Sequence, residues 1–272
     1  PPVIKSHTVL PNLGNPTPLH LKYAEQLRDS LPDDIRAAAR DPLDATALIY
    51  AMLLSCDDAQ RTQQLAGLEQ RAGAAVRQKT ESLFPDVSKA AAHAHLPMIN
   101  LALGALKQLT AAHYDTFSKT TDWLINSDGK VELFEFVLQK IVFRHLDSAK
   151  PIIQYFSVKP LAPDCAVILS ALANISSQDP NEIQKAFNNG APYLRAPADS
   201  DLELLPPGQC DVKQIDAALN RLALAAPIIK KNLIEACIHV VGSDGVVYES
   251  EAELLRAVAD TLDCPMPPFV TS

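Results

Sequence analysis

Ser127-Asp128-Gly129-Lys130-Val131 returns 116 positions later as Ser243-Asp244-Gly245-Val246-Val247. Outward from this pair the match holds in one register without a gap. Downstream, Glu135 corresponds to Glu251, Leu138 to Leu254, Val142 to Val258 and Leu146-Asp147 to Leu262-Asp263. Upstream, Ala102-Leu103 corresponds to Ala218-Leu219 and Leu106 to Leu222. Each copy reads as helix, helix, S-D-G-x-V turn, helix. The glycine after aspartate supplies the positive φ with which a chain leaves a helix. The valine then returns to the core, and the glutamate falls in the first turn of the next helix, where a carboxylate suits the macrodipole. The pattern predicts two helical units related by duplication, at about 101–147 and 217–263.

The remaining sequence continues in the same idiom. Thr17-Pro18, Asp41-Pro42, Thr110 and Asp179-Pro180 carry helix-start signals, with proline at the first helical position in three of them. Leu43, Ala47, Leu48, Ala51 and Leu54 form one stripe at helical spacing, and a polar helix runs from Asp57-Asp58 to about Ala72. The segment from Gly73 reads as helical to Phe84, where Pro85-Asp86 should break it. Residues 132–146 are apolar nearly all round, which predicts a central buried helix. No convincing alternating strand occurs. The predicted fold class is all-α, built from about a dozen helices. Its predicted organisation is an extended lead-in at 1–16, a helical domain at 17–147, a proline-bearing linker at 148–163 and a second helical domain at 164–272.

Composition agrees with that architecture. The 272 residues include only 9 glycines but 21 prolines, which suits helices punctuated by prolines rather than a hairpin-rich β protein. Hydrophobic residues make up 47% and charged residues 21%, so a packed core is expected rather than disorder. The 24 Lys and Arg against 32 Asp and Glu give a net charge of −8. That balance disfavours nucleic acid as a partner, since phosphate binding needs a clustered basic face and the densest basic feature is the pair Lys230-Lys231. The longest uncharged apolar stretch, Cys165 to Ile175, is too short to span a bilayer and contains Ser170 and Asn174. The expectation is a soluble chain without direct membrane insertion. Its five cysteines show no C-x-x-C spacing, which suits a reducing compartment and free thiols. The chain opens Pro1-Pro2-Val3 with neither an initiator Met nor a signal-peptide pattern, and is expected to be a piece of a longer polypeptide.

The motifs of common catalytic sites are missing: H-E-x-x-H, the P-loop, G-x-S-x-G and G-x-G-x-x-G do not occur. His93 and His95 are two apart and would face away from each other on a helix, while His145 and His239 fall in core-like helices. The turn D-G-x-V-x-x-x-E matches the second half of an EF-hand loop. However, its first and third ligand positions would be Leu124 and Asn126 in one copy and Val240 and Gly242 in the other. A structural capped turn is therefore preferred. A weaker metal role leaves Asp128, Glu135, Asp244 and Glu251 as the candidate ligands.

The two S-D-G-x-V-x-x-x-E units resemble the TerB-like helical domain of tellurite-resistance proteins, through Asp128, Gly129, Val131 and Glu135 and again through Asp244, Gly245, Val247 and Glu251. That resemblance implies, for those four acids, a possible chelating role. Leu13-Gly14-Asn15-Pro16, Asp41-Pro42, Ala47–Leu54, Phe134-Glu135, Arg144-His145-Leu146 and Leu262-Asp263-Cys264-Pro265-Met266-Pro267-Pro268 are similar to the C-terminal region of long bacterial HtpX-like membrane zinc metallopeptidases. The resemblance implies a parent with membrane spans and a zinc-binding H-E-x-x-H helix, its catalytic face on the cytoplasmic side of the inner membrane. None of those zinc-site residues matches a position here, so zinc and proteolysis would belong to the rest of the parent. This chain would then be a non-catalytic binding or regulatory domain, with its own catalytic domain or a substrate protein as partner. The alternative is a free-standing TerB-like stress-response module, weakly metal-binding at most.

Overall fold

The computed structural model describes residues 29–90, 94–127, 133–146, 152–198, 200, 202–245, 247 and 249–264. The lead-in, the helix start at Thr17-Pro18, His93, Asp128, Gly129, Val131 and the closing residues from Pro265 lie outside them. The described residues are all-α apart from isolated bridge positions, among them Tyr155 paired in parallel with Ala225. They fall into two compact units, one within 29–146 and one within 152–264.

The first unit is built from α1 (Asp33–Ala38), α2 (Pro42–Leu53), α3 (Asp58–Ala72), α4 (Ala74–Lys89), α5 (His95–Leu106), α6 (Ala111–Ile125) and α7 (Leu133–Leu146). Its hub is α2. The Asp41 carboxylate starts this helix by accepting the N–H groups of Leu43 (2.9 Å) and Asp44 (3.0 Å), and Pro42 follows at the first position. Every residue from Ala45 to Leu53 is buried, because α1, α4, α5 and α6 all pack against this one helix. Removing such a side chain from water is worth about 1.5–3 kcal/mol for each large aliphatic residue. Asp57 and Thr110 cap α3 and α6 through the N–H groups of Gln60 (2.8 Å) and His113 (3.2 Å).

Two expectations need correction in this unit. Pro85 does not end a helix: α4 runs through it to Lys89. Leu83 and Val87, on either side of the proline, are both in the core, while the Pro85 ring is exposed. The backbone bond lost at proline therefore faces water, and burial on the opposite face carries the helix on. Secondly, α7 is not enclosed on all sides. Phe136, Val137, Leu138, Ile141 and Val142 are buried, but Glu135, Gln139, Lys140 and residues 143–146 are half-buried. Its packing partners are α5 and α6, and the more deeply enclosed helix is α2, buried from Ala45 to Leu53.

The second unit contains α8 (Ala162–Ser176), α9 (Pro180–Gly190), α10 (Val212–Leu222), α11 (Pro227–Val241) and α12 (Glu249–Thr261), with short 3-10 turns at Lys159–Leu161, Ala191–Leu194 and Pro207–Gln209. Here α8 is the hub, contacted by α9, α10, α11 and α12. The two polar residues that interrupt its apolar stretch serve the loop beside it. Ser170 Oγ accepts from Leu205 N (2.9 Å), and Asn174 Nδ2 donates to Leu205 O (3.2 Å). Gly190 ends α9 directly against α11: a Cβ there would collide with the Val240 side chain and the Ala236 carbonyl, so only glycine permits the approach. Residues 154 and 155 are held by the α10–α11 junction, with Gln154 N donating to Leu224 O (2.8 Å) and Ala226 N to Tyr155 O (2.8 Å).

Candidate functional site

The second S-D-G-x-V turn is the copy of the motif whose geometry is described. Helix α11 closes with Gly242 N donating to Ile238 O (2.9 Å) and Ser243 N to Val240 O (3.2 Å). Gly245 then takes φ +83°, the positive value expected for the residue after aspartate. Val247 turns into the core and is 3% exposed. Glu251, the third residue of α12, is 1% exposed, whereas Asp244 at the tip of the turn is exposed. The two acids of this copy therefore have opposite environments: one is enclosed at a helix start and the other is in water.

In the first copy Glu135 is half-buried in the first turn of α7, and Asp128 lies outside the described residues. Leu124 and Val240, which an EF-hand would need as ligand positions, are core residues of α6 and α11. Among the described residues no group of three or more His, Cys, Asp or Glu side chains stands together to hold a metal ion.

His239 and three of the cysteines are absorbed by packing. His239 is half-buried and lies flat on Tyr193, with ring centroids 3.6 Å apart and planes 8° apart. Partial burial lowers its pKa, and the neighbouring Glu235 carboxylate opposes that shift. Cys165, Cys210 and Cys237 are buried free thiols. Burial pushes Cys165 up to about 12 and raises Cys237 further, so neither is a ready nucleophile. Cys56 is exposed.

Two features were not anticipated from sequence. The first is a charge cluster at the start of α8. Asp164 is buried in the first turn, and Arg221 of α10 places Nη1 3.4 Å from its Oδ2. The same guanidinium donates to Pro160 O (3.1 Å) and lies 5.7 Å from the Tyr155 ring centroid. Desolvation raises the Asp164 pKa, and the attraction of Arg221 only partly offsets it. Sequence spacing could not reveal this cluster, because its members are 57 and 66 positions apart, as Asp164 to Arg221 and Tyr155 to Arg221. The second is an apolar surface. Of the five large hydrophobic side chains exposed among the described residues, four are Ile152, Ile153, Phe156 and Ile228.

No family model matches the chain, and no curated protein and no solved structure matches it either. The TerB-like and HtpX-like resemblances rest on the residues quoted for them.

Proposed function

We propose that this chain is a helical binding and regulatory module that accompanies a membrane zinc metallopeptidase, engaging the catalytic domain of that enzyme or the proteins it degrades. The observation that carries the reading is the form of the 243–251 turn. Gly245 at positive φ, Val247 in the core and Glu251 enclosed at the start of α12 make the S-D-G-x-V-x-x-x-E signature a structural corner. A corner of this kind orients two helices; it does not present a ligand set. Zinc chemistry is assigned to the parent's own H-E-x-x-H helix, and no step of it runs through the residues described here. Supporting the reading, Gly245, Val247 and Glu251 of the signature that suggested the TerB-like unit are each built into the corner of the second copy.

The test has two arms. The reading frame upstream of Pro1 is expected to encode hydrophobic spans and an H-E-x-x-H helix; a start codon directly before Pro1 would instead make this a free-standing module. In the assembled enzyme, deletion of these residues is expected to spare hydrolysis of a short peptide while slowing that of a folded protein substrate. Equal loss of both would sink the binding role.

A further inference from the structure

The two hub helices are covered in different ways. In the first unit the chain between α3 and α5 forms α4, which packs along α2. In the second unit the described chain between α9 and α10 forms only the short turns at 191–194 and 207–209, and residues 202–206 are irregular between them. These five residues are fastened to α8 by side chains. Ser170 Oγ accepts the Leu205 N–H at 2.9 Å, and Asn174 Nδ2 donates to Leu205 O at 3.2 Å. Cys210 Sγ donates to Pro206 O at 3.5 Å. Among the described residues, no backbone hydrogen bond joins 202–204 to a helix.

The clamp holds backbone rather than side chain. An acceptor and a donor presented together satisfy the N–H and C=O of one residue in an extended peptide of any sequence. The segment that fills the clamp is preformed for it. Leu205 and Pro206 each precede a proline, which keeps them out of the α region, and Pro206 takes φ −67° and ψ 158°. A segment of that kind loses little conformational entropy on docking. Its seating is shallow: Leu202, Leu204 and Leu205 are only half-buried and Glu203 and Pro206 are exposed, whereas Ser170 is fully buried. Ser170 and Asn174 interrupt the apolar stretch of the hub helix, so an empty clamp costs desolvation and the seat calls for an occupant.

We infer that Ser170 and Asn174 form a recognition site for an extended, proline-bearing apolar peptide, and that residues 202–206 fill it as a built-in competitor. The partner peptide has the Leu-Leu-Pro chemistry of the segment it replaces, with a free N–H on the residue before proline for Ser170 to accept. This deepens the binding-module reading and rests on the binding part of it; it needs no parent enzyme. A tethered segment acts at an effective concentration on the order of millimolar, so a peptide offered in trans binds weakly until the tethered contacts are loosened.

Fluorescence polarisation of a labelled synthetic peptide, Leu-Glu-Leu-Leu-Pro-Pro as in residues 202–207, with the full 272-residue chain tests the assignment. In the protein, Leu205→Pro removes the N–H that Ser170 accepts and should tighten peptide binding at least about tenfold. Adding Asn174→Ala to that variant should weaken binding again by about fivefold or more. The same leucine-to-proline change made in the peptide should abolish binding. In wild type, millimolar peptide should speed hydrogen exchange at the Leu205 amide, because displacement releases it from Ser170. The assignment fails if Leu205→Pro binds the peptide no more tightly than wild type, if Asn174→Ala changes nothing, or if peptide leaves exchange at Leu205 unaltered. Should circular dichroism show Leu205→Pro to be unfolded, exchange in wild type decides alone. Only the isolated chain and a peptide are used, so failure here is separate from failure of the deletion test in the assembled enzyme.

Discussion

Helices α5–α7 and α10–α12 have the same boundaries, to within one residue, once 116 is added to the first set. Ile99, Ala102, Leu103, Leu106, Leu124, Leu138 and Val142 are buried in one, and Ile215, Ala218, Leu219, Leu222, Val240, Leu254 and Val258 are buried at the corresponding positions of the other. The helix frame and its apolar spine therefore coincide. The rims do not. In the first run, exposed Asp122 of α6 accepts a hydrogen bond from Gln139 of α7 (2.6 Å). The corresponding residues of the second run are Ile238 and Leu255, exposed by only 3% and 1%. Packing explains the exchange. Helix α6 has α2, α3 and α7 around it, whereas α11 is enclosed by α8, α9, α12 and the 191–194 turn. A position open to water accepts a polar pair; once further elements cover it, an unmatched polar pair would cost desolvation and an apolar pair is favoured.

The sharpest way to break this correspondence is to cut its spine. Leu138→Ala and Leu254→Ala should each destabilise by about 2–5 kcal/mol in urea unfolding, and a cost at one site but not the other would separate the two runs. The rim contrast comes next. Leu255→Ala should cost about 2–5 kcal/mol, while Gln139→Ala should cost only about 0.5–1.5 kcal/mol; similar values would remove the contrast. The turn glutamates should differ in the same sense but by less. Glu251→Ala is expected to cost about 1–3 kcal/mol from its enclosed position, and Glu135→Ala less than that, as measured by thermal melting.

The smallest effect is a pH dependence with no counterpart in the first run. Burial raises the Asp164 pKa above its ordinary value. A carboxyl shifted upward on folding contributes stability that is fully present below the unfolded pKa and is lost as pH rises through the folded one. Asp164→Asn should therefore flatten the melting-temperature profile in the weakly acidic range above about pH 4, where wild type declines. A variant that keeps the wild-type slope would assign it to another group.

Much of this frame could be read before any coordinates. Asp41, Asp57, Thr110, Asp179 and Asp211 each accept a backbone N–H at a helix start, a local interaction that a few residues determine. The matching apolar positions were legible because helical periodicity and the 116-residue register both survive in one dimension. Pro85 misled because the decision there is tertiary: Leu83 and Val87 hold the helix in the core while the proline faces water. Glu251 and Asp244 looked equivalent as candidate ligands, and only the fold of the turn shows that one is enclosed and the other is not. The Asp164–Arg221–Tyr155 cluster and the 152–156 surface arise from long-range pairing, for which spacing carries no signal.

Trp123 is the only tryptophan in the chain, and it is wedged between α3 and the solvent, its ring against Gly67 and beneath the Arg71 guanidinium at 4.1 Å. A Cβ at position 67 would strike that ring, so glycine there makes room for the indole. Intrinsic fluorescence excited at the red edge therefore reads only the α3–α6 contact. It is blind to the 152–264 unit, whose melting must be followed by tyrosine emission or by backbone dichroism. Where the optical and dichroic curves part, the two bodies come undone at different temperatures.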